Sequence, residues 1–224
     1  VKRFAIIVAG GKGSRMGADI PKQFLLLDTK PVLMHTIERF LKFDNSIDII
    51  LVLPAEQIEY WEDLCEQYNF HAPIRLAKGG ETRFGSVYNG LSCITETEGV
   101  VAVHDGVRPL VSDDTLDRCF NMAVEKETAV PVVGMVDSVR RVTAHGSEPE
   151  DRSLLYMVQT PQVFSLPVLK RAYQQQYAEK FTDDASVVEL MGFSINLVEG
   201  NRENIKITTP GDLLIARAFI ESGF

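Results

Sequence analysis

Phe4-Ala5-Ile6-Ile7-Val8 runs directly into Ala9-Gly10-Gly11-Lys12-Gly13-Ser14-Arg15-Met16-Gly17, and Pro21-Lys22-Gln23 follows shortly after. The apolar run ended by glycine fits a strand buried on both faces. Such a strand delivers a turn whose backbone N–H groups lie open, and glycine lets that backbone approach a ligand closely. Arg15 and Lys22 stand just beyond it and supply charge that amides cannot. The stretch therefore has what polyphosphate binding needs. It is not a Walker loop, and Gly11, Gly13 and Gly17 are spaced one residue too long for the dinucleotide fingerprint. A loop that only turns the chain is the plainer reading of the glycines alone.

Working outward, apolar positions from Val32 to Leu41 keep helical spacing after Pro31. Asp48 to Leu53 is a continuous apolar run closed by Pro54, as in a central parallel strand. A charged amphipathic helix over 55–68 turns Trp61 and Leu64 inward. Ile74-Arg75-Leu76 is a short strand, Gly79-Gly80 turns the chain, and a helix runs from about Arg83 to Ile94. Val100 to His104 is a buried strand with Asp105 at its carboxyl end. Ser112 caps a helix through Lys126, and 129–133 returns to the sheet. This order predicts an α/β chain of Rossmann-like type: a mostly parallel open sheet with helices on both faces. Ligands bind such sheets outside the carboxyl ends of the strands.

Residues 136–159 break the alternation. Val139–Thr143 and Leu154–Val158 read as two strands separated by the polar piece 145–151. That predicts a projecting β-arm whose exposed edges invite a second copy of the chain, or else a flexible surface hairpin. A helix follows with Ser165 as its cap, a shorter helix runs from Asp184 to Met191, a strand covers 193–198, 205–207 is a brief extended segment, and Thr209-Pro210 opens a last helix. Residues 1–224 carry no repeat or linker and read as one domain with this arm.

The chain has 224 residues and a net charge of −8, which disfavours nucleic acid and anionic membranes as partners. Any phosphate site must concentrate positive charge locally. Three scattered cysteines make no metal pair or disulfide framework. With no apolar run long enough to span a membrane and no secretory leader, the expectation is a cytoplasmic protein.

Further candidate residues sit at strand ends. Asp105, in His104-Asp105-Gly106-Val107-Arg108-Pro109, is placed to hold a hard cation beside phosphates, or else to cap a loop. Gly106 permits close approach and Arg108 adds an anion-binding group. Gly80, Glu81 and Ser86 form a second glycine-led loop entering a helix, able to meet a base or ribose. Thr182-Asp183-Asp184-Ala185-Ser186 reads first as an N-cap cluster. Lys206 lies between isoleucines, either in a site or as a solvated edge lysine.

Taken together, A-G-G-K-G-S-R-M-G with P-K-Q, H-D-G-V-R-P, T-P-Q-V-F, T-D-D-A-S and N-I-K-I-T, in order across nearly the whole chain, resemble the 2-C-methyl-D-erythritol 4-phosphate cytidylyltransferase family. The resemblance implies a CTP-dependent cytidylyl transfer onto the alditol phosphate, with Mg²⁺, in non-mevalonate isoprenoid biosynthesis, by a homodimer joined through the arm. It implies that Ala9, Gly10, Gly11, Gly13 and Gly106 meet the nucleotide, with Arg15 and Lys22 on its phosphates and Gly80, Glu81 and Ser86 at the cytidine. It further implies that Asp105 serves Mg²⁺ and the alditol. Arg108, Thr160, Thr182 and Lys206 match acceptor or transition-state contacts, and Arg152 matches an arm arginine reaching the partner's site. Gly106-Val107 stand where the family often has two alanines, Gly10 stands in a first loop that often reads A-A-G, and Ser138 replaces a common threonine. A ribitol 5-phosphate cytidylyltransferase and a noncatalytic nucleotide-binding regulator are the alternatives. The glycine spacing and Pro54 after the second strand disfavour a dinucleotide-dependent oxidoreductase.

Overall fold

The computed structural model describes residues 1–10 and 20–223. Gly11, Gly13 and Arg15 lie outside the described residues. In chain order, β1 is Arg3–Val8, β2 Leu26–Leu27, β3 Lys30–Pro31, α1 Val32–Phe43, β4 Asp48–Leu53, α2 Ile58–Gln67 and β5 Ile74–Lys78. Then come α3 Arg83–Ser92, β6 Val100–Asp105, α4 Asp113–Lys126, β7 Thr128–Gly134, β8 Val139–Thr143, β9 Gly146–Glu150, β10 Tyr156–Val158 and β11 Gln162–Ser165. The chain closes with α5 Leu166–Ala172, α6 Asp184–Glu189, β12 Leu197–Glu199 and α7 Pro210–Glu221.

The main sheet has the order β10-β7-β11-β6-β1-β4-β5, with β12 on β7. β1, β4, β5 and β6 are mutually parallel. The period-2 alternation of side chains then divides the core. Ala5, Ile7, Ile49 and Leu51 face α1, α2 and α4, through Leu33, Phe40, Trp61 and Phe120. Phe4, Ile6, Ile50 and Val52 face α3, α5 and α6, through Val87, Leu169 and Val188. Helices thus cover both faces, as expected from strands apolar at every position. Ser112 caps α4, its hydroxyl accepting from Thr115 N–H, with Asp113 and Asp114 in the first turn.

The sheet is mostly parallel, as the sequence reading expects, and β11 inserts antiparallel between β6 and β7. β10 and β11 lie along the same edge of β7, but the register slips between them: Val158 faces Val132 while Val163 faces Ala129, five steps against three. The arm pairs differently from expectation. β8 pairs with β9, which falls in the polar piece read as a connection. Tyr156–Val158, expected to be the arm's second strand, joins the main sheet instead. β9 escaped the apolar signal because both faces of a two-stranded ribbon meet solvent, so Ser147, Glu148 and Pro149 remain exposed. Finally, 205–207 lies outside the ladders, the strand expected at 193–198 is Leu197–Glu199, and the Ser165 side chain makes no cap bond to α5.

Side chains reinforce the β6–β11 junction. His104 is fully buried and its Nε2–H donates to the Arg108 carbonyl at 2.9 Å. A carbonyl only accepts, so Nε2 carries the proton and Nδ1 is the acceptor. The Thr160 hydroxyl donates to Nδ1 at 3.0 Å and itself accepts from Asp105 N–H at 3.1 Å. Burial, opposed by the Arg108 carbonyl and the Asp105 charge, pushes the imidazole pKa down from 6.5 to about 4.

A histidine held neutral in the fold takes up its proton more readily when unfolded. Its stabilising contribution is therefore whole above pH 6.5 and lost as pH falls toward 4. The loss approaches about 3 kcal/mol at one pH unit per 1.36 kcal/mol. Urea unfolding between pH 7 and 4 should show this decline, reduced in His104→Gln. Equal declines in both proteins would assign it to other groups.

Candidate active site

The parallel strands β1, β4, β5 and β6 end on one edge of the sheet. Each is extended there by one more backbone bond or turn. Ala9 N–H donates to Val52 O at 3.0 Å, Gly79 N–H to Leu53 O at 2.7 Å, and Gly106 N–H to Val8 O at 2.9 Å. These bonds hold the loops splayed over the edge. Between them lies a cavity of about 270 Å³, lined by Ala9, Gly10, Lys22, Gly80, Glu81, Ser86, Asp105 and Lys206 among others. A second chamber, about 330 Å³, is lined by Arg108, Thr160, Thr182 and Gln162. Both chambers share Arg83, Asp105 and Lys206, which form the wall between them.

Backbone shapes the first chamber. Thr82 caps α3 by accepting from Gly85 N–H at 3.0 Å. The Ser86 hydroxyl donates to Thr82 O at 3.0 Å and accepts from Gly80 N–H at 3.1 Å. This folds the glycine loop tightly onto the first turn. A Cβ on Gly80 would lie 2.8 Å from the Gly85 carbonyl carbon, so glycine is required there. Gln23 is buried and donates from Nε2 to Ala9 O at 2.9 Å and to Gln57 Oε1 at 2.7 Å. It ties the P-K-Q turn to the end of β1, which brings Lys22 to the cavity.

Asp105 anchors the shared wall. Its Oδ2 meets Lys206 Nζ at 3.0 Å and Arg108 Nε at 3.2 Å, while Arg83 Nε stands 3.8 Å from Oδ1. Burial alone would raise its pKa. Lys206, Arg83 and Arg108 outweigh that and hold the carboxyl well below the usual carboxylate range. Arg108 is also fixed by donation to Asn204 O at 2.7 Å. Lys206 is aimed by its neighbours: Ile207 is buried in the cluster with Val107 and Ala216, Ile205 packs on the same cluster, and Ile207 N–H donates to Val107 O at 3.0 Å. With both isoleucines turned inward, the lysine between them faces the wall.

Most of the sequence candidates therefore converge. Ala9, Gly10, Lys22, Gly80, Glu81 and Ser86 line the first chamber, Arg108, Thr160 and Thr182 the second, and Asp105 and Lys206 both. Gly106 does not line either. A Cβ there would meet Ala9 Cβ at 2.9 Å and Leu33 Cδ1 at 3.0 Å, so its close approach is to protein. Arg152 stands exposed near the arm, hydrogen-bonded to the Val136 carbonyl and outside both chambers. Arg83 was not singled out in sequence. Its guanidinium meets the wholly buried Asp184 at 2.7 Å, a partner a hundred residues away. The T-D-D-A-S string carried one signal: Asp183 fills the cap of α6, through a capping box with Ser186, and so leaves Asp184 for another role.

The family model of 2-C-methyl-D-erythritol 4-phosphate cytidylyltransferase, IspD, matches residues 4–222. The chain is 57% identical over 220 residues to a protein of that name from Phocaeicola vulgatus, covering 98% of this chain and 100% of the other. It is 55% identical to one from Bacteroides fragilis, covering 97% and 99%. Among solved structures, the Francisella tularensis 2-C-methyl-D-erythritol 4-phosphate cytidylyltransferase superposes with a TM-score of 0.81 at 31% identity, covering 97% of this chain and 99% of that one. The 4-diphosphocytidyl-2C-methyl-D-erythritol synthase of Anaerococcus prevotii gives 0.83 at 26% identity, covering 98% and 96%. On sequence and architecture together, this chain belongs to the 2-C-methyl-D-erythritol 4-phosphate cytidylyltransferase family.

Proposed function

We propose that the chain transfers CMP from CTP to 2-C-methyl-D-erythritol 4-phosphate, releasing pyrophosphate and forming 4-diphosphocytidyl-2-C-methyl-D-erythritol. The observation that carries this reading is the wall of Arg83, Asp105 and Lys206 shared by two adjoining chambers. Two anionic substrates entering from opposite sides would meet there, beside cations and a carboxylate.

In this reading an oxygen of the acceptor phosphate attacks the α-phosphorus of CTP. A new P–O bond forms, the α–β bridging P–O bond breaks, and its electron pair leaves on pyrophosphate. The acceptor phosphate is ionised near neutral pH, so no side chain has to remove a proton. The obstacle is repulsion between polyanions, and catalysis rests on positioning and charge compensation. Lys22 and Arg15 neutralise the leaving pyrophosphate, and Lys206 meets the crowded α-phosphate. Gly10, Gly11 and Gly13 offer N–H groups to the triphosphate. Gly80, Glu81 and Ser86 border the base and ribose. Arg108, Thr160 and Thr182 line the acceptor side.

Mg²⁺ fits the donors present. Among the described residues no group of three or more His, Cys, Asp or Glu could hold a metal by itself. Asp105 is a lone carboxylate at the chamber wall, and Mg²⁺ is commonly held by one or two carboxylates together with substrate phosphates. Bound there, the ion would neutralise phosphate charge.

The chain is further inferred to work as a homodimer. Tyr156, Met157 and Val158 are exposed on β10, with Leu154 beside them, forming an apolar strip along an outer strand. Arg152 would then serve the partner's site. The free cysteines, and the lack among described residues of a helix long and apolar enough to cross a membrane, suit a cytoplasmic setting.

Incubation with CTP, Mg²⁺ and methylerythritol phosphate should release pyrophosphate. Release only with ribitol 5-phosphate would name the other acceptor, and release with neither would leave a nucleotide-binding regulator. Lys22→Ala and Lys206→Ala should each fold normally yet lose on the order of a hundredfold in turnover, the scale of one lost charge-stabilising donor. A near wild-type rate would remove that lysine from the mechanism. Met157→Glu should shift sedimentation from dimer to monomer, whereas an unchanged profile would place the interface elsewhere.

A further inference from the structure

Arg83 is strung between two carboxylates at unequal distances. Its guanidinium lies 2.7 Å from Asp184 Oδ2 and its Nε 3.8 Å from Asp105 Oδ1. The longer separation is not a hydrogen bond. Asp184 is wholly buried, and its other oxygen, Oδ1, accepts from the Tyr173 hydroxyl at 2.6 Å. Tyr173 is in turn held by stacking on Phe84, centroids 4.6 Å apart, and Phe84 on Phe181. Asp105 meanwhile meets Lys206 and Arg108 at Oδ2.

An arginine fork and a carboxylate this close ordinarily close into a bidentate pair. Here the fork is paired with a second carboxylate instead. A buried ion pair is no gain in stability over apolar packing of similar volume, so its presence at the chamber wall calls for another account. We propose that Asp184 and Tyr173 are positioning residues that restrain Arg83, keeping Asp105 Oδ1 open for a substrate-borne partner, either an acceptor hydroxyl or a phosphate-bound divalent cation. This rests on the two-chamber reading above. Without the restraint, Arg83 swings onto Asp105, occupies Oδ1 and leaves the wall charge-balanced but closed.

The prediction has an unusual sign. Asp184→Asn should lower kcat/KM by about tenfold or more, and adding Arg83→Met should restore part of it, because the group that closes the site is gone. Such coupling between touching residues is what a double-mutant cycle reads. Tyr173→Phe, which removes one hydroxyl and keeps the stacked ring, should show a smaller loss with an unchanged melting midpoint. It serves, alone and with Arg83→Met, if Asp184→Asn does not fold. A rise in acceptor KM would identify the hydroxyl as the partner of Oδ1, and a rise in the Mg²⁺ concentration needed would identify the cation. A crystal structure of Asp184→Asn, or of Tyr173→Phe in its place, should show Arg83 within hydrogen-bond distance of Oδ1. A separation unchanged from 3.8 Å overturns the proposal. So does a double variant no better than the single one, or an Asp184→Asn enzyme as active as wild type. A wild-type protein that releases no pyrophosphate sinks the functional reading instead, and the crystal structure still decides the restraint.

Discussion

The chamber wall depends on keeping one buried carboxylate ionised. Asp105 is 8% exposed, and at that depth an unpaired charge is costly enough that a carboxyl normally takes up a proton instead. Three cations drawn from three distant parts of the chain prevent this. Arg83 comes from the start of α3, Arg108 from the loop after β6, and Lys206 from the segment before α7. None could be placed without the sheet, because β6 carries Asp105 to the edge at which β1, β4 and β5 also end. The acidic chain as a whole thus gathers Arg83, Arg108 and Lys206 around one buried carboxylate, with Asp184 behind Arg83. An incoming polyanion meets these placed side chains, and not the average of −8.

Much of this was legible in the sequence because strand ends announce themselves. An apolar run closed by glycine, proline or aspartate fixes both the strand and the edge, so Ala9, Gly10, Gly80 and Asp105 could be brought together before any coordinates. Lys206 was legible through its flanking isoleucines. The insertion of β11 was not legible. A four-residue strand has too short a pattern to tell parallel from antiparallel, and Gln162 is buried by its bonds to Asp183 and Ala185, not by apolar character. Nor was β9, whose ladder is satisfied by backbone bonds while its side chains stay wet.

Gly106 and Arg83 mark the two opposite ways in which reading residues one at a time misses. Gly106 suggested a ligand, since an open backbone in a loop admits one, but the space against it is filled by Ala9 and Leu33. Arg83 suggested nothing beyond a polar helix start, yet it joins two elements separated by half the chain. A long-range ion pair leaves no periodicity to detect. It becomes visible only when α6 has packed beside α3 on the same face of the sheet.

The tight crossing of Gly80 over Gly85 has a consequence for how such a protein can diversify. The chamber beside it is bordered by this backbone crossing, and a single substitution at position 80 would collide with main chain there. The other chamber is walled by side chains, among them Thr160, Gln162 and Thr182, which can be exchanged one at a time. Descent with modification can thus reshape the second chamber one side chain at a time while the crossing beside the first stays fixed.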